Sequence, residues 1–104
     1  MLYRASGTVL TEAAAEAGET VCAVPQGITE LAPYCFARQD WQQIILPKTL
    51  EIIERSAFEG CKKLNSVYMS ENLSYLGYRA FADCPALSSL RIPAANTLVA
   101  FHWL

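Results

Sequence analysis

The sequence predicts a short solenoid of stacked coils, mainly parallel β, with short helical or 3₁₀ turns at the corners. Three observations lead there. First, the stretch from Ile44 to Leu87 states one pattern twice: from Pro47, small or apolar residues fall at Leu50, Ile53, Ala57, Phe58, Cys61 and Leu64. From Ser70, 23 residues on, they fall at Leu73, Leu76, Ala80, Phe81, Cys84 and Leu87, which is a tandem repeat. Second, Leu64-x-x-Val67-x-Met69 and Leu87-x-x-Leu90-x-Ile92 end in alternation, the mark of a strand with one face buried. Third, one unit offers too few inward side chains to offset the conformational entropy of ordering it, so the units must stack. Backbone ladders then join the same strand of successive coils, and a sheet built that way is parallel.

Residues 1–20 do not keep the repeat phase and are assigned to an N-terminal cap, which a solenoid needs over its open end. Within it Thr8-Val-Leu10-Thr reads as a short strand with Leu10 inward, and Glu12–Glu19 as one helical turn or a loose hairpin loop closed near Gly18. About three repeats follow over 21–93: 21–43, 44–66, and 67–89 with the next strand running to 93. The first matches through Pro25, Ile28, Leu31, Cys35 and Phe36, with Trp41 near the place of Leu64 and Leu87. It is one residue short, and a deletion between Phe36 and Trp41 accounts for that. In each unit the proline after the strand (Pro25, Pro47, Pro93) stops the ladder and turns the chain. A second short extended piece follows, then a compact turn over 55–60 and 78–83 that drives Phe58 and Phe81 inward. After Pro93 the phase is expected to fail, with Leu98, Phe101 and Leu104 two residues late, so 94–104 reads as a partial repeat or a C-terminal cap.

The totals narrow the function classes. The chain has 104 residues, 53% hydrophobic and 17% charged, which fits one folded domain and excludes disorder. A net charge of −2 with scattered Lys and Arg gives no basic field, so nucleic acid is not an expected partner. No segment reaches the roughly 18 to 20 apolar residues that span a bilayer, and the first residues lack the apolar core of a signal peptide. Taken alone, that places the protein in the cytoplasm if Met1 is the native start. The four cysteines form no C-x-x-C pair and His102 is the sole histidine, so neither a metal nor any other cofactor is expected. Cys61 and Cys84 share a repeat position, and their side chains run parallel instead of converging, which predicts two buried thiols.

The order strand, Pro, Leu-x-x-Ile, Ala-Phe, Cys, Leu resembles the BspA-like leucine-rich repeat. The resemblance is carried by Leu46-Pro47, Leu50, Ile53, Ala57-Phe58, Cys61 and Leu64, and again by Leu73, Leu76-Gly77, Ala80-Phe81, Cys84 and Leu87. It departs from the family at Ser70, which stands where a Pro is usual, and at Ala32 and Glu54, which replace a Gly. The resemblance implies a right-handed leucine-rich repeat solenoid with a parallel sheet on one face. It also implies a bacterial protein, secreted or at the cell surface, that serves in adhesion or protein binding.

Strand alternation fixes the outward columns of the main sheet. Two positions before each proline site lie Ala23, Ile45, Tyr68 and Arg91; four before it lie Val21, Gln43, Ser66 and Ser89. Gln43, Ile45, Ser66, Tyr68, Ser89 and Arg91 are therefore the candidate partner-binding residues, a mixed apolar, aromatic and cationic surface of the kind found at protein interfaces. β propensity alone also favours Ile and Tyr there. Phe101 and Trp103 are the candidates for self-association, against the alternative that they pack on the last coil. No phosphate loop, nucleophile elbow or carboxylate pair in a repeat column is present, so no catalytic residue is named. The sequence thus reads as a non-enzymatic module for a protein partner, a monomer or weak homodimer. The alternative is a structural repeat unit or fragment that self-associates, or extends a larger solenoid, through its ends.

Overall fold

In the computed structural model, two parallel ladders run along the stack, built from two short strands in each coil. The structure describes residues 1–88, 90, 97–100 and 102–103. The strands are β1 (Leu2–Ser6), β2 (Val9–Ala14), β3 (Val21–Ala23), β4 (Glu30–Leu31), β5 (Gln43–Ile45), β6 (Ile52–Ile53), β7 (Ser66–Tyr68), β8 (Tyr75–Leu76) and β9 (Leu98–Val99). They form a three-stranded sheet β3-β5-β7 and a six-stranded sheet β1-β2-β4-β6-β8-β9. Among the described residues all pairings are parallel except β1 with β2.

Register follows the repeat residue by residue. Cys22, Ile44 and Val67 align in one ladder, and Leu31, Ile53 and Leu76 in the other. The spacing is 22 residues from Val21 to Gln43 and 23 from Gln43 to Ser66, as the short first unit requires. Trp41 is fully buried at the Leu64 position, so the deletion is absorbed between Gln39 and Trp41, outside both ladders.

Two expectations are corrected. In the cap, the residues from Glu12 to Ala14 do not begin a helical turn: Val9–Ala14 is one strand, paired antiparallel with Leu2–Ser6 across a turn where Gly7 takes a φ of +60°. The Thr11 hydroxyl donates to the Arg4 carbonyl across this hairpin (3.1 Å). Nor is β2 out of phase, because Val9 and Leu10 pair in parallel with Glu30 and Leu31, and Leu10 is fully buried. At the other end the phase also persists: Leu98 and Val99 pair with Tyr75 and Leu76, again 23 residues apart. Backbone pairing holds this register although the apolar pattern had faded, since a ladder needs N–H and C=O groups and no particular side chain.

The corner after each second strand is a run of i to i+3 turns, where a short helical or 3₁₀ turn was expected. Cys35 donates to Ala32, Ala37 to Tyr34 and Gln39 to Phe36 (3.1–3.3 Å). Positive φ recurs at Tyr34, Ser56 and Arg79, and at Arg38, Gly60 and Asp83. A left-handed residue every few positions prevents helical propagation. Each corner hands its donors to the next coil: Ser56, Phe58 and Gly60 donate to Tyr78, Ala80 and Ala82 at 2.8–2.9 Å. Inside, Phe36, Phe58 and Phe81 stack with ring centroids 5.1 and 4.9 Å apart and planes within 4°.

Ser70 shows how the missing proline is replaced. Its buried hydroxyl donates to the Leu50 carbonyl (2.7 Å) and accepts from the Asn72 N–H (3.1 Å). Leu73 then donates to the Ser70 carbonyl as Leu50 does to Pro47, so a side-chain bond fixes the turn that the pyrrolidine ring fixes elsewhere.

Candidate functional site

The exposed face of the three-stranded sheet is the most regular outward surface among the described residues. Each strand is only three residues long, with the middle residue turned into the core and its two neighbours outward. The register therefore aligns Ala23, Ile45 and Tyr68 in one column and Val21, Gln43 and Ser66 in the other. Ile45 is 41% exposed, Tyr68 56% and Val21 45%; Ala23 is exposed, and Gln43 and Ser66 are half-buried. Ser66 is held by its hydroxyl donating to the Asn65 side-chain carbonyl (2.8 Å).

Of the sequence-predicted site residues, the structure brings Gln43, Ile45, Ser66 and Tyr68 onto one face. Ser89, Arg91 and Phe101 lie outside the described residues, and with them the cationic end of the expected surface. The described part is a neutral surface with Tyr68 as its largest side chain. Val21 and Ala23 extend it by one coil, and strand alternation was the signal for both. Trp103 packs inward, its ring edge-on to Phe81 at 6.5 Å, and is half-buried.

A second concavity, about 400 Å³, lies between the hairpin and the first corner, with Tyr3, Arg4, Glu12, Tyr34 and Cys35 in its walls. Nothing in the sequence signalled it, because β1 carries no alternation. In its wall Arg4 and Glu12 form an ion pair at 3.7 Å that is solvent-exposed. Burial pushes the Cys35 thiol up to about 12, which leaves it protonated and poorly nucleophilic.

The thiols are otherwise hydrogen-bonded into the stack. Cys61 donates to the Phe36 carbonyl (3.2 Å) and Cys84, one coil on, to the Phe58 carbonyl (3.1 Å). Cys61 is buried as expected, but Cys84 is half-buried, because less of the stack covers the third corner than the second. Among the described residues, no group of three or more His, Cys, Asp or Glu side chains could hold a metal ion, and no helix is long and apolar enough to cross a membrane.

A profile described as the BspA type Leucine rich repeat region (6 copies) matches residues 22–101. No curated protein matches the chain. Among solved structures the chain is similar to the crystal structure of the T. pallidum leucine rich repeat protein (TpLRR), with a TM-score of 0.74 and 23% sequence identity. That match covers 82% of this chain and 42% of the other. The chain thus spans less than half the length of that structure, and at this identity the likeness is one of fold.

Proposed function

The chain belongs to the BspA-type leucine-rich repeat family, and from that premise we propose that it is a non-enzymatic protein-binding module. It binds through the outward face of the three-stranded sheet, in adhesion or host-protein interaction at a bacterial surface. The observation that carries this reading is the column Ala23–Ile45–Tyr68, which backbone ladders hold in register and leave open. A surface held by ladders loses little freedom on binding, and a central aromatic with an aliphatic neighbour is the usual composition of an interface anchor.

The experiment identifies by mass spectrometry the protein retained by the immobilised chain, then titrates it as a purified protein. Tyr68→Ala is expected to weaken binding by about 30-fold, the size of a hot-spot loss of about 2 kcal/mol. Ile45→Ala is expected to weaken it less, and Tyr78→Ala, at a corner, to leave it unchanged, with the circular dichroism of all three alike. Full affinity in both face variants would move the contact surface elsewhere.

A second reading is association through the ends. The observation favouring it is β9, the outer strand of the six-stranded sheet, where Leu98 is 67% and Val99 37% exposed. An open apolar edge strand pairs readily with another chain. Sedimentation of the wild type and Leu98→Lys over a concentration series tests it: a mass that rises in the first and stays constant in the second supports end association.

A further inference from the structure

We propose that Cys61 and Cys84 close into a reversible, readily reduced disulfide between successive coils, with Cys84 as the thiol that reacts first.

Both residues occupy one repeat position, 23 apart. Three residues before each, the Phe58 and Phe81 rings measure the coil spacing at 4.9 Å. A Cα separation near that value lies within the roughly 4.4–6.8 Å over which a disulfide forms. Both sulphurs are also aimed the same way, at the carbonyls of consecutive phenylalanines, 3.2 and 3.1 Å away. Bridging requires each Sγ to rotate off its carbonyl toward the other. Because the two side chains start out parallel, the bond is strained, and strained disulfides are the easily reduced ones.

Exposure sets the order of events. Cys61 is 1% exposed, whereas Cys84 is half-buried, so a small disulfide in solution reaches Cys84 alone. The Cys61 thiol hydrogen-bonds to Cys84 and holds its pKa below the ordinary thiol value, while Cys61 is pushed up. Thiolate character therefore falls on the accessible member, as attack requires. Cys22 and Cys35 take no part: both are buried, and Cys22 lies against the Met1 sulphur at 3.2 Å.

With oxidised glutathione the steps balance. The Cys84 thiolate attacks one glutathione sulphur, giving a mixed disulfide and releasing one glutathione thiolate. Cys61 then gives its proton to solvent and attacks the Cys84 Sγ, expelling the second. Two protein thiols are oxidised and one glutathione disulfide is reduced. The loop so closed contains Ser66–Tyr68, so the bridge pins the strand that carries Tyr68.

The test incubates the reduced full chain with oxidised glutathione, alkylates the remaining thiols, and reads intact mass and peptide masses. The expected product is a monomer lighter by about two mass units, for the two hydrogens removed, with Cys61 and Cys84 peptides linked and the link lost in mild reductant. In Cys61→Ser the reaction is expected to stop at a glutathione adduct on Cys84, and in Cys84→Ser no thiol is expected to react. A stable glutathione adduct in the wild type, a link between two chains, or no reaction at all would overturn the proposal. Reaction of Cys61 in Cys84→Ser would overturn the stated order.

Discussion

A buried thiol in this chain is a hydrogen-bonded core residue first, and its chemistry follows from what covers it. Cys22 lies under Met1 and Cys35 under the hairpin, and burial pushes both thiols up to about 12. The sign is fixed by the protonation state the fold prefers. A folded pKa raised above the ordinary value near 9 contributes stability that is complete below pH 9. That contribution declines as the unfolded thiols ionise and is gone once pH passes the folded value near 12. Unfolding free energy is therefore expected to fall from pH 9 toward 12, by several kcal/mol for the pair. Urea titrations at stepped pH measure it. A Cys35→Ala variant separates this term from Tyr and Lys ionisation, since its curve is expected to be flatter by about half of the thiol contribution.

One element, the corner between second strand and phenylalanine, is where coils approach most closely. At Gly77 an added Cβ would stand 2.5 Å from the Arg55 nitrogen and 2.6 Å from the Glu54 carbonyl carbon. Gly77→Ala is thus expected to cost at least about 2 kcal/mol, because the obstacle is backbone and has no rotamer to give. Thermal melting of the purified variant checks it, and an unchanged midpoint would show that the corner can separate at no cost. Elsewhere in the corner the sequence was less legible. The inward Ala57-Phe58 and Ala80-Phe81 pairs were readable from spacing, whereas the left-handed turns at Tyr34, Ser56 and Arg79 were not. Left-handed φ in non-glycine residues leaves little compositional trace when the next coil's carbonyls enforce it.

Over the whole molecule, the parts legible in the sequence are those where side chains do the specifying. Leu31, Ile53, Leu76, Phe36, Phe58 and Phe81 were readable because each must be buried; β1 and β9 were not, because backbone pairing places them and their side chains are exposed. The candidate face was readable at Ile45 and Tyr68, since alternation gives direction, and the hairpin concavity was not, since it arises where the first corner lacks a coil above it. The same stacking makes stability a matter of neighbours. Phe58 is stacked on both sides, by Phe36 at 5.1 Å and Phe81 at 4.9 Å, whereas Phe36 has one such neighbour. Both rings are fully buried, so the transfer and cavity terms of truncation are alike, about 3–5 kcal/mol. Phe58→Ala also removes a second aromatic contact worth about 0.5–1.5 kcal/mol. Its urea midpoint is therefore expected to lie below that of Phe36→Ala, with the slope of the transition unchanged. Equal midpoints would mean that burial alone, and not the column of rings, couples one coil to the next.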